Sequence, residues 1–132
     1  MIGTLPLPVL EQLPYLNAVM KEGFRLTYGV SCRLARIDPD NEIIFSSGAK
    51  QYIIPAGTPV GMSSVQIHHN EAIFPNSKKF EPERWLDGKN KAREKYMVSF
   101  TAGSRQCLGI NLAHAELYLG LSAIWRQWEQ GV

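Results

Sequence analysis

The stretch 100–109, FTAGSRQCLG, holds one of only two cysteines in the chain, set between Gly103 and Gly109 and preceded by Arg105. A cysteine at a helix start meets free N–H groups and the positive end of the helix dipole, and both favour a thiolate over a thiol. An apolar helical pattern resumes directly behind it, so a helix beginning at about Leu108 puts Cys107 in that position. Gly103 permits a left-handed turn, and Gly109, with no Cβ, lets a flat object lie against the helix start. In an extended segment Arg105 and Cys107 project to the same side, where a guanidinium can grip a carboxylate of whatever the sulfur holds. Phe100 can shield the sulfur from water and tune its electronics. A flat ligand held at once through a soft metal and through its carboxylates describes haem.

Other chemistries compete for the same residues. A lone cysteine at a helix start also reads as a small buried hydrophobe. A thiolate nucleophile needs a histidine base, and nothing in the sequence places His68, His69 or His114 beside it. Zinc needs a second Cys or His at ligand spacing from Cys107, and none is there.

The elements that must hold this loop can be read in outline. A helix begins near Pro14, with Leu16, Val19, Met20, Gly23 and Phe24 along one apolar face, and ends at Tyr28-Gly29. Extended signals follow over 30–65. Ile43-Ile44-Phe45 and Tyr52-Ile53-Ile54 flank a Ser46-Ser47-Gly48 turn, and Val60-Gly61-Met62 follows a second turn, which together make a small antiparallel sheet. Residues 70–99 lack periodicity and are expected to be a loop pinned by Phe74, Phe80, Trp85 and Tyr96. The final helix should bury Ile110, Ala113, Leu117, Leu121, Ile124 and Trp128 on one face, widened by Leu112 and Leu119.

Composition narrows the class. A 132-residue chain with 45% hydrophobic and 20% charged residues makes one folded domain or part of one. Net charge of +2 is too small to imply a nucleic acid. Residues 1–13 lack a secretory signal pattern. The apolar stretch 108–125 is interrupted by Asn111, His114 and Glu116, so it reads as a buried helix and no membrane segment is expected. Two cysteines do not make a disulfide scaffold, and both are expected to be reduced, with Cys32 in packing.

Phe100, Gly103, Arg105, Cys107, Gly109 and Ala113 together resemble the F-x-x-G-x-R-x-C-x-G-x-x-x-A signature of the cytochrome P-450 superfamily, the haem-thiolate monooxygenases. By periodicity, Glu22 and Arg25 are a solvated pair opposite the Leu16/Met20 face. The stretch LPYLNAVMKEGFRL nevertheless resembles the family's E-x-x-R helix, and Pro82-Glu83-Arg84-Trp85 its P-E-R-F motif with Trp for Phe. The resemblance implies that Glu22, Arg25 and Arg84 form a buried structural network, stable only when complete because an unpaired buried charge is costly. RLTYGVSCRLAR (25–36) resembles the following segment, without the usual H-P-P, and implies that Arg36 binds a haem propionate. Residues 52–60 resemble the Y-x-I-P-x-G-T strand-turn-strand, and 68–75 the H-x-x-x-x-x-F-P element, which makes His68 a scaffold residue.

The resemblance implies a mainly α fold with a small antiparallel β-sheet, the C-terminal portion of the P-450 fold, so that 1–132 is a single incomplete domain. It lacks the distal A-G-x-x-T helix, the W-x-x-x-R and the closing strands. It implies haem b with Cys107 as axial iron ligand, held by Arg105, Arg36, Phe100, Gly103 and Gly109. The implied function is insertion of one oxygen atom of O2 into a small organic substrate, with electrons from a redox partner, an NADPH-dependent reductase. Lys89, Lys91, Arg93 and Lys95 are expected to dock that acidic donor. The implied location is intracellular, at the endoplasmic reticulum membrane for a microsomal full-length parent. The chain alone is expected to bind haem weakly without turnover. A non-catalytic or vestigial haem-binding fragment and a small thiol redox protein are the alternatives.

Overall fold

The structure, a computed structural model, describes residues 5–88 and 90–129. A first short helix, α1 (Leu7–Leu10), leads into α2 (Pro14–Leu26). Pro14 sits in the first turn of α2, where its missing N–H loses no bond. The helix stops before Tyr28 because Thr27 turns extended, with its N–H and hydroxyl both donating to the Gly23 carbonyl.

Two small cores share α2 as a wall. On one side Leu10, Met20 and Tyr118 pack with Leu16, Phe24 and Leu121; on the other Ala18, Phe74 and Trp85 pack with Ile73, Tyr96 and Met97. Ala18 and Met20 point about 200° apart around the helix axis, so α2 is buried on both sides. The apolar face read from the sequence is therefore only half of what is buried. The other buried face is Ala18, Glu22 and Arg25.

The sheet is a two-stranded antiparallel hairpin, β1 (Ile43–Ser47) and β2 (Lys50–Ile54), in the register Ile43↔Ile54 to Ser47↔Lys50, turned through Gly48 at φ 59. Ile44 and Ile53 on one side and Phe45 and Tyr52 on the other are all exposed. The stretch after the second turn adds no third strand. Val60 instead forms an isolated bridge with Arg36, through bonds of 2.7 and 2.8 Å. A Cβ at Gly61 would come within 3.3 Å of the Ala35 backbone, so glycine is what lets the two segments approach.

Residues 70–99 are held without being regular. A helix the sequence pattern did not show, α3 (Ser64–His68), precedes them, and its five residues are too few to display a period. A 3-10 turn at Pro82–Trp85 and a short helix α4 (Asn90–Glu94) follow. Phe74 and Trp85 are buried, whereas Phe80 faces solvent and pins nothing. The last helix, α5 (Ile110–Glu129), begins two residues later than the pattern suggests, and the Gly109 carbonyl accepts the first helical bond from Ala113. It turns Tyr118 and Ser122 inward, while Leu117, Ile124 and Trp128 from the expected buried face are exposed. Among the described residues, no helix is long and apolar enough to cross a membrane.

Candidate functional site

The site is built on a buried ionic support. Glu22 and Arg25 are completely buried, and Arg84 nearly so, on the face of α2 that periodicity assigns to solvent. Glu22 accepts five hydrogen bonds, from Arg25 Nε and Nη2, the Glu81 N–H, Arg84 Nε and Trp85 Nε1, at 2.8–3.1 Å. Arg25 spends its remaining N–H groups on the carbonyls of His68, Ser77 and Lys79. Arg84 reaches the Pro75 carbonyl and Glu81 as well. Burial pushes the Glu22 carboxyl up, but the Arg25, Glu81 and Trp85 bonds and the Arg25 charge outweigh it and leave it below the usual carboxylate range. The network ties α2 to the 68–85 loop.

Trp85 is the part of this support that motif reading missed. Its indole N–H donates to Glu22 Oε2 at 3.0 Å, a bond that the phenylalanine of the family motif cannot make. A hydrogen bond to a buried charge is worth about 1.5–3 kcal/mol. Trp85→Phe should therefore lower the unfolding free energy by about that amount in a chemical denaturation series; an unchanged midpoint would remove the bond from the account.

The cysteine loop rests on this support through aromatic contacts. Phe100 meets Phe24 of α2 edge-on at 4.9 Å between centroids and His114 of α5 at 5.6 Å, and Phe24 stacks on His114 at 4.9 Å. Thr101 and Gly103 both take left-handed backbone angles, φ 60 and 78. A β-branched residue is strained there, and the Thr101 hydroxyl closes the turn by donating to the Arg105 carbonyl at 3.0 Å. Residues Gly103–Arg105 form a 3-10 turn, so the extended geometry expected to align Arg105 with Cys107 does not run through Arg105.

Cys107 is exposed, not a buried hydrophobe, and its own N–H donates to the Phe100 carbonyl at 3.0 Å. It lies ahead of the α5 start and not in its first turn. The N–H groups of Leu108 and Gly109, next along the chain, make no hydrogen bond among the described residues. A Cβ added to Gly109 would meet only Cys107 Sγ, at 3.9 Å, and Leu108 is wholly exposed. Arg105 and Arg36 are exposed and in no ion pair among the described residues. Arg36 Nη1 touches only the Leu34 and Ala35 carbonyls, and no bond joins it to the cysteine loop. One exposed soft sulfur beside the bare Gly109 backbone, with the exposed Arg105 guanidinium in no ion pair among the described residues, fits a flat macrocycle carrying a metal and carboxylates.

Other residues fall elsewhere. Cys32 is exposed and free, not packed. His68 is buried. His69 binds the Tyr28 hydroxyl and, at 3.2 Å, Ser77 Oγ. No group of three or more His, Cys, Asp or Glu among the described residues could hold a metal ion. In the basic run, Arg93 is committed to Asp87 and the Arg84 carbonyl, Lys95 lies 4.9 Å over the Tyr96 ring, and Lys89 falls outside the described residues.

Comparison with known proteins places these features in company. A family profile described as cytochrome P450 matches residues 4–130. A cytochrome P450 monooxygenase of Ascocoryne sarcoides is 48% identical over 129 residues, covering 96% of this chain and 24% of the relative. Another from Cochliobolus heterostrophus is 51% identical over 124 residues, covering 92% and 23%. An N-acetyltryptophan 6-hydroxylase of Emericella nidulans is 46% identical over 123 residues, covering 91% and 23%. The chain spans about a quarter of the length of these relatives.

Proposed function

The chain belongs to the cytochrome P450 family, and from that premise we propose that it forms the cysteine-side wall of a haem monooxygenase, in which Cys107 would hold the iron of haem b. The observation that carries this reading is the exposed Cys107 thiol beside two uncommitted N–H groups and the bare Gly109 backbone. When bound, haem supplies the oxygen activation that a thiolate ligand promotes by pushing electron density onto iron. Every other task belongs to side chains and backbone of this chain. The Leu108 and Gly109 N–H groups stabilise the negative sulfur and moderate its donation. Phe100, braced by Phe24 and His114, keeps water from one flank of the sulfur. Arg105 and Arg36 would bind the propionates as guanidinium–carboxylate pairs.

Glu22, Arg25 and Arg84 take no part in chemistry; they hold the loop's foundation. A small organic substrate, O2 and electrons from a reductase complete the reaction. Docking of an acidic donor by the basic run Lys89, Lys91, Arg93 and Lys95 belongs to the same proposal, although Arg93 is already engaged by Asp87 and the Arg84 carbonyl. Single incomplete domain architecture, and residence of a longer parent at the endoplasmic reticulum membrane, belong to the same proposal. The test is the carbon monoxide difference spectrum of the reduced haem-loaded protein. Thiolate ligation gives a Soret band far to the red of histidine ligation, and a histidine-type band would overturn the assignment.

A further inference from the structure

His68 is buried, with its backbone carbonyl bonded to Arg25 of α2 and its imidazole bonded to the segment that leads into the cysteine loop. Nε2 accepts a hydrogen bond from the Val98 N–H at 3.1 Å. A backbone N–H can only donate, so Nε2 must stay unprotonated for the bond to exist. The surroundings favour that state. From α2 comes the Arg25 guanidinium, whose Nη1 donates to the His68 carbonyl at 2.9 Å, with Glu22 engaged behind it; alongside sits His69, and the Phe74 ring stands edge-on at 6.3 Å. Burial chiefly, then the Arg25 and His69 charges, hold the imidazole below the ordinary histidine range, against the raising effect of the Arg25 backbone bond.

Val98 is the first fixed point of the segment 98–107. Its carbonyl accepts the Thr101 N–H at 3.0 Å, the Thr101 hydroxyl holds the Arg105 carbonyl, and the Phe100 carbonyl holds the Cys107 N–H. Ser99 Oγ donates to the Phe24 carbonyl at 2.8 Å, a second anchor that does not titrate. Hydrogen bonds joined by short stretches of backbone thus link the imidazole to the cysteine.

We propose that the uncharged imidazole of His68 is a positioning element for residues 98–107, and that its protonation unlatches the cysteine loop in acid. A proton on Nε2 removes the acceptor for the Val98 N–H and sets a second positive charge beside Arg25. The latch exists whether or not Cys107 binds iron, and its effect on haem rests on that assignment, so the two are tested by different readouts.

The experiment follows amide hydrogen exchange at Val98, Thr101 and Cys107 in the haem-loaded protein across mildly acidic pH, beside the carbon monoxide spectrum. After correction for intrinsic exchange, protection at all three amides should fall about tenfold on protonation, the factor one hydrogen bond represents. His68→Gln offers a carbonyl oxygen that never titrates, and its protection should be flat through the same range. His68→Phe should leave Val98 poorly protected at every pH. Equal pH dependence in wild type and His68→Gln would overturn the latch. A loss of protection that leaves the Soret band unmoved would confine the latch to the backbone and overturn its control of the cysteine.

Discussion

Replacing Cys107 with serine is expected to abolish the red-shifted Soret band of the reduced carbon monoxide complex entirely while leaving the fold in place. An alcohol is not ionised at neutral pH and offers a hard oxygen, so it cannot donate electron density to iron as a thiolate does. The fold should survive because the side chain is exposed, and the backbone bond from position 107 to Phe100 does not depend on it. Circular dichroism and denaturation midpoint should therefore match the parent. Cys32→Ser, at the other exposed free thiol, is the control and should keep the band. A Cys107→Ser protein with an unchanged spectrum would end the assignment.

Glu22→Ala should be the most damaging single substitution for stability. It leaves Arg25 and Arg84 buried without their shared carboxylate, and breaking a buried pair costs about 3–5 kcal/mol. Here five hydrogen bonds disappear together. Against a total stability of about 5–15 kcal/mol for an ordinary domain, the variant should lose a third or more of its stability and shed haem on purification. Glu22→Gln keeps the shape and one set of acceptors, and should fall between. The wild type should show the same dependence on acid. The Glu22 carboxyl is depressed in the fold, so its contribution is complete above the ordinary carboxylate range and is lost as pH falls through it. His68, also depressed, adds loss that begins higher, as pH falls below the ordinary histidine range. In Glu22→Gln the lower of these two losses should be missing; if both persist unchanged, the network is not the source.

The cysteine loop is legible because six residue types at fixed spacing make a one-dimensional pattern, and the turn at Gly103 needs only glycine's freedom to be foreseen. Glu22 and Arg25 show where pattern fails. Their burial is produced by the 68–85 loop folding over α2, a tertiary event invisible to a helical period, and only the family resemblance points to it. The indole of Trp85 escapes notice because a Trp in a Phe position reads as bulk, while its N–H matters. His114 has no role legible in the sequence, and it packs against both Phe24 and Phe100, which also touch each other. The apolar side of α5 misleads in the opposite direction: Ile124 and Trp128 follow a buried-helix spacing, yet nothing among the described residues covers them.

The carboxylate at position 22 gathers donors from residues 81, 84 and 85, so its neutralisation depends on chain made some sixty residues later. On the ribosome, α2 emerges with two charges that water must solvate until the strip ending at Trp85 has cleared the exit tunnel, at about 5–20 residues per second. Throughout that interval of several seconds α2 has no reason to choose its final neighbours, and chaperone capture competes with folding. Stalling translation just before and just after that strip should divide nascent chains that proteases cut freely from those that resist.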